Sequence, residues 1–133
     1  MRALINAALE SRWNSVQAGQ TFRTPDDSVG VPYSIASHGA TSMTIRTDGG
    51  TDIRISREAF AEALGYLIRE GHTSERRKCE VGSTYGNPGP LSQAVSQANC
   101  GEVVVVAYVL PIQKEMGLVA LNGTRPNSTW LAP

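Results

Sequence analysis

The stretch VVVVAYVLPIQKEMGLVALNGTRPNSTWL, residues 103–131, decides how this chain is read. Four consecutive valines favour a strand by propensity. Yet Val105, Tyr108, Val109, Ile112 and Met116 recur three, four, seven and eleven positions from the first, which is a helical stripe. Pro111 has no N–H to give Ala107, so a helix here carries a defect at that point. The spacing predicts a helix over 103–116 ended by Gly117, with a strand to Leu110 and a short helix after Pro111 as the rival. Beyond it, Leu118, Val119 and Leu121 form a strand, and Asn122-Gly123 is a type I′ turn signal. Thr129, Trp130 and Leu131 then return. Pro126 cannot donate to a ladder, so the loop out to Asn127 is expected to exceed two residues.

Working backwards, PLSQAVSQAN (90–99) predicts a short helix with Pro90 in its first turn. Its inner face is Leu91, Ala94, Val95 and Ala98. Residues 72–90 form a long connection containing four charges in a row, Glu75 to Lys78. Before it, REAFAEALGYLIRE (57–70) is a helix with Ser56 at its N-cap and Glu58 at the positive end of its dipole. Phe60, Leu64, Leu67 and Ile68 make the core face, and Gly71 supplies the left-handed C-cap. Met43 and Ile45 alternate with polar neighbours, and Ile53 and Ile55 do the same after the turn Asp48-Gly49-Gly50, so this region is an antiparallel β segment with one wet face. QTFRTPDDSVGVPYS (20–34) reads as a loop. Residues 2–17 read as a helix with Ile5, Leu9, Trp13 and Val16 inward. The fold class is therefore α+β: an N-terminal helix, a small antiparallel β segment, a central helix and a C-terminal helix-helix-hairpin. The length suggests one domain over 1–133, with lobes 1–71 and 90–133 joined by 72–89.

Two helices joined by a short turn at Gly101 and followed by a β-hairpin is an order that resembles the winged helix-turn-helix superfamily. The resemblance covers residues 90–131, and EMGLVALNGTRPNSTWL (115–131) looks like the end of a recognition helix running into its wing. It implies a DNA-associated protein of bacterial or phage type that contacts duplex DNA through this C-terminal segment. The groups available are Gln113 and Lys114 on the helix, Arg125 and Asn127 in the wing, and Gln93 and Gln97 on the preceding helix. Arg reads guanine edges or phosphate, and Gln or Asn pairs with adenine. Arg76, Arg77 and Lys78 in the connection are placed to meet phosphates. Two departures stand out: the recognition helix is unusually apolar, and the connection 72–90 is long for a three-helix core. The alternative is a protein-binding module, an inhibitor or accessory subunit, using the same surface for a protein partner or homodimer.

Charge weighs on that choice. The chain has 12 Lys plus Arg against 12 Asp plus Glu, a formal net charge of +0. Proteins that neutralise many phosphates usually carry a basic excess. The apolar fraction of 41% suffices for a core, and the longest apolar run is too short for a membrane span. With no signal-peptide pattern and only two cysteines, a reduced cytoplasmic protein without membrane contact is expected. His38, His72, Cys79 and Cys100 have zinc-compatible chemistry but no close ligand spacing. A buried Cys100 and an exposed His72 are the expected arrangement. Cys79 beside Arg76, Arg77 and Lys78 is a candidate for a lowered pKa with His72 as base, although no third orienting group is evident. Asp48 and Asp52 are better explained by hairpin chemistry than by a nuclease centre, and no phosphate-binding loop is present. The residues thus point away from an enzyme and call for no cofactor.

Overall fold

In the computed structural model, which describes residues 2–25, 30–81, 89–101, 104–123 and 127–133, Ile5, Leu9, Trp13 and Val16 are the buried side of the first helical stretch. The α-helix α1 covers Arg2–Arg12, shorter than the expected 2–17. Trp13–Ser15 tighten into a 3-10 turn, and Val16 is already extended. Tertiary contacts explain the early end. The Trp13 indole donates to the Gly39 carbonyl (2.7 Å), and the His38 ring bonds the Trp13 carbonyl (2.9 Å), so these groups are committed to the sheet.

Strands β1 (Thr21–Arg23), β2 (Pro32–His38), β3 (Ser42–Thr47) and β4 (Asp52–Ser56) form an antiparallel sheet in sequential order. The period-two pattern buries Tyr33, Ile35, Met43, Ile45 and Ile55 on one face. A register shift between Ile35 and Ser37 inserts a bulge in β2. Gly50, at φ +87°, turns β3 into β4, a conformation that favours glycine. β1 corrects the expected loop over 20–34. It pairs Thr21–Arg23 with Pro32–Ser34, and Phe22 stacks on Tyr33 with centroids 5.7 Å apart. Three residues are too few for alternation to be visible in sequence.

Ser56 ends β4 and caps α2 (Arg57–Arg69), its hydroxyl accepting from Ala59 N–H. Phe60, Leu64 and Leu67 of α2 are buried as expected, but Ile68 is 37% exposed, a correction to the core face read from sequence. Ala59, Ala61, Ala63 and Gly65 are buried too, so small residues let neighbours approach closely. At Gly65 an added Cβ would lie 3.5 Å from the Ile5 side chain of α1. Gly71, at φ +76°, ends the helix.

The long connection holds a 3-10 turn at Glu75–Arg77 and a short strand, β5 (Cys79–Glu80). Two helices follow, α3 (Pro90–Ala98) and α4 (Val106–Glu115), then β6 (Val119–Asn122) and β7 (Ser128–Leu131). The second sheet is antiparallel in the order β5-β7-β6. The helix expected over 103–116 covers Val106–Glu115: it starts at the last of the four valines, with Val104 and Val105 outside it, and continues through Pro111. Burial settles this in favour of the helical stripe: Val105, Val106, Val109, Leu110, Ile112 and Met116 are all at most 1% exposed. Asn122 pairs with Ser128 inside the ladder, so the connection is 123–127 and not a two-residue Asn-Gly turn.

Both halves contribute to one contiguous hydrophobic cluster. Asn99, just past α3, ties them with polar contacts. Its side-chain oxygen accepts from Ser56 N–H (2.7 Å), and its amide donates to the Arg54 carbonyl (3.0 Å). The Ser56 hydroxyl donates to the Ala98 carbonyl (3.3 Å). Among the described residues no helix is long and apolar enough to cross a membrane.

Two stability measurements test this packing. Leu67→Ala is expected to destabilise by about 2–5 kcal/mol in denaturant unfolding, whereas Ile68→Ala loses less than about 1 kcal/mol, because only the first empties a closed site. Asn99→Ala leaves a strand carbonyl and the Ser56 amide without partners and is expected to lose about 1–3 kcal/mol. A change within experimental error would show that solvent replaces the side chain at that junction.

Candidate nucleic-acid interface

The groups singled out in the sequence divide between exposed and interior positions. Arg76, Arg77 and Lys78 are exposed on the 3-10 turn and the approach to β5. The His72 ring braces that turn by bonding the Arg77 carbonyl through Nδ1 (2.7 Å), and it stacks on Tyr66. Lys114 is exposed in the last turn of α4, and Gln93 and Gln97 are exposed on α3. Arg125 lies outside the described residues.

Gln113 and Asn127 are corrected by burial. Gln113 is 0% exposed and points into the core, where its amide donates to the Phe60 carbonyl of α2 (2.8 Å). Asn127 is 7% exposed at the root of β7, and its carbonyl accepts from Val81 N–H (2.8 Å). Neither side chain is presented to a groove. Their polarity looked like a reading surface because sequence does not reveal which side of the apolar helix at Gln113, or of the hairpin at Asn127, faces inward.

Strand register separates the basic run from the tip of the hairpin. Cys79 pairs with Thr129 and Glu80 with Ser128, so residues 76–78 lie toward Trp130 and Leu131. The end at which Asn122 pairs with Ser128 is the opposite one, about 10 Å away at the rise of a strand. Lys114 sits at the same end as the basic run, since α4 enters β6 through Gly117 beside the Val119–Leu131 pair.

The face of α4 that would enter a groove is largely occupied. Lys114 and Glu115 are its exposed residues, with Ala107 and Tyr108 half-buried. α4 packs against α2, α3, β6 and also β1 of the first sheet. The Tyr33 hydroxyl of β2 donates to the Tyr108 carbonyl (2.7 Å), and the two rings meet edge to face with centroids 5.0 Å apart. Burial, and secondarily the neighbouring Tyr108, holds the Tyr33 phenol well above its ordinary pKa, so it remains a donor through the neutral range.

The cysteines reverse the expectation. Cys79 is buried and Cys100 exposed. Burial, with Glu80 and Glu70 nearby, pushes the Cys79 thiol up to about 11. Desolvation therefore outweighs the adjacent cations, and the lowered pKa suggested by Arg76, Arg77 and Lys78 does not occur. Among the described residues no group of three or more His, Cys, Asp or Glu is arranged to hold a metal ion.

An apolar groove lies elsewhere, between α1, α2 and the base of the second sheet, with a volume of about 350 Å³. Sequence missed it because Leu4 sits just off the helical stripe assigned to the core of α1, and Ile68, assigned to the core face of α2, lies at the exposed edge of that face. Comparison with models of protein families, with curated proteins and with solved structures finds no match.

The thiols give a direct check on this arrangement. A neutral-pH thiol reagent is expected to modify Cys100 rapidly in the folded chain and Cys79 only on unfolding, and Cys100→Ser is expected to remove the rapid phase. Because the folded pKa of Cys79 lies above its ordinary value of 9.0, the folded state retains a proton that the unfolded state releases. Its contribution to stability is complete below pH 9 and is lost as the pH rises to about 11. Cys79→Ala is expected to flatten that part of the stability curve.

Proposed function

We propose that this chain is a protein-interaction module whose C-terminal part is a winged-helix-like unit, used for protein contact and not for reading a DNA groove. The resemblance is supported by the order α2, β5, α3, α4, β6, β7 and by the sheet order β5-β7-β6, with α2 and α4 packed on the three-stranded sheet and α3 packed on both of those helices. β5 places a short strand within the long connection that set the sequence apart from a minimal three-helix core.

The observation that carries the choice of partner is the covering of α4. A recognition helix works by presenting a polar face to base edges. Here the first sheet lies on that helix through Tyr33 and β1, Gln113 is interior, and the chain carries no net charge. Exposing α4 would require separating buried Tyr33 from Tyr108 and opening the shared core. A second reading, phosphate contact without groove reading, rests on Arg76, Arg77, Lys78 and Lys114, which are exposed toward one end of the second sheet.

Titration of a labelled duplex at two salt concentrations tests both. The wild-type chain is expected to show no saturable binding at low salt. Binding that weakens with added salt, and whose slope falls by roughly one when Arg77 or Arg125 is changed to Ala, would replace the protein-contact reading by the DNA one.

A further inference from the structure

We propose that the groove between α1, α2 and the base of the second sheet binds a short amphipathic segment of a partner protein, whose large apolar side chains fill the recess and whose carboxylates meet Arg76, Arg77 and Lys78. The proposal rests on the protein-contact reading and states the chemistry of the partner. The recess is lined by apolar side chains: Leu4 and Ile5 of α1, Leu64 and Ile68 of α2, Leu131 of β7, and Leu118 just before β6. Its volume of about 350 Å³ lies at the small end of the roughly 300–1,000 Å³ of ligand pockets, so it takes a few side chains of one segment and not a broad protein face.

The charge of the partner follows from what stands at the sheet end of the recess. The Leu131 N–H donates to the His72 carbonyl (3.0 Å), and the His72 ring donates through Nδ1 to the Arg77 carbonyl (2.7 Å). Two hydrogen bonds therefore join a wall of the recess to the basic turn. Beside Leu131, Ala132 N–H donates to the Leu118 carbonyl (3.1 Å), and Gly117 N–H donates to the Lys114 carbonyl (2.9 Å), which brings Lys114 to the same end. Arg2, Arg46, Arg57 and Arg69 are held in ion pairs, whereas none of Arg76, Arg77, Lys78 and Lys114 is so held among the described residues. Glu75 is the one carboxylate in the turn, so residues 75–78 hold three cations against one anion, a net +2. Glu115 offsets Lys114, and Glu70, which caps α2, is the other exposed acid at this end. Glu80 lies further along β5, across from Ser128. The basic excess is thus concentrated in the turn beside Leu131. Unpaired cations next to an apolar recess select carboxylates and repel amines, while apolar anchors on one face of a segment fill the recess itself.

Fluorescence anisotropy with labelled peptides tests this. One peptide carries leucines at i, i+3 and i+7 followed by glutamates; one control has lysines for the glutamates and another has serines for the leucines. The wild-type chain is expected to bind the acidic peptide roughly tenfold more tightly than either control, and added salt to narrow the gap to the lysine peptide. Arg76→Glu combined with Arg77→Glu is expected to reverse the preference toward the lysine peptide, a switch that misfolding does not produce. The brace to the Arg77 main-chain carbonyl survives that exchange. Ile68→Glu, folded by far-ultraviolet dichroism, is expected to weaken the acidic peptide roughly tenfold. Equal binding of the acidic and lysine peptides, a preference that does not reverse, or no binding of any peptide overturns the proposal, as does binding of phosphatidylserine vesicles in place of the acidic peptide. A chain that ignores both peptides and duplex DNA overturns this occupant alone and leaves the protein-contact reading standing. Saturable, salt-sensitive duplex binding overturns that reading as well.

Discussion

Helix α2 has to be covered on two sides at once, and most of the architecture follows from that requirement. Phe60 and Leu67 are too apolar to leave in water, and the alanines and Gly65 around them allow neighbouring helices to come close. On one side α1 approaches, with Ile5 beside Gly65 and Trp13 edge-on to Phe60 at 5.2 Å between centroids. On the other, α3 and α4 close over the helix. No amphipathic helix with a single wet side would bind the two halves of the chain into one cluster in this way. Ser56 and Asn99 then set the direction in which β4 hands over to α2, since between them they engage the strand end, the helix cap and the end of α3.

The same packing determines what α4 can do. Its valines and leucine are distributed around most of the helix, so it is an interior element with only a small polar tip at Lys114 and Glu115. Burying Gln113 among them is tolerable because its amide finds the Phe60 carbonyl; its oxygen has no partner among the described residues, nor do Ser92 Oγ, Asn127 Oδ1 and Ser128 Oγ. Such atoms cost free energy in an apolar interior. Their cost is borne by the surrounding apolar burial, which is extensive at α4. The proposed protein-contact function follows from this distribution of polarity: the accessible apolar surface is at α1 and Ile68, while the helix that resembles a DNA reader is enclosed.

The charged groups around the first sheet are structural. Arg57 lies over the Trp13 ring, 5.1 Å from its centroid, and pairs with Glu10 at 2.9 Å. Arg46 and Asp52 face each other across β3 and β4 at 2.7 Å on the exposed side of the sheet. Exposed pairs of this kind contribute little, because solvent screens their attraction. Cys79, flanked by three cations in sequence, is governed by its burial, because a thiolate loses more on leaving water than it gains from cations that point into solvent.

Local chemistry was legible wherever a residue acts through its immediate neighbours. Ser56 as a cap, Gly71 as a helix stop, the alternation of Met43, Ile45 and Ile55, and the helical stripe from Val106 to Ile112 were all written in short-range spacing. The α+β class followed from those elements alone. What tertiary structure decided was which polar residues meet water. Gln113, Asn127 and Cys79 carry polar or reactive groups in sequence but sit inside, while Leu4 and Ile68 are apolar but lie outside. The three-residue β1 and two-residue β5 exist only because longer strands offer them edges to pair with. Period and capping are properties of a dozen adjacent residues, whereas burial depends on which distant segment arrives to cover them, and no local pattern encodes that arrival.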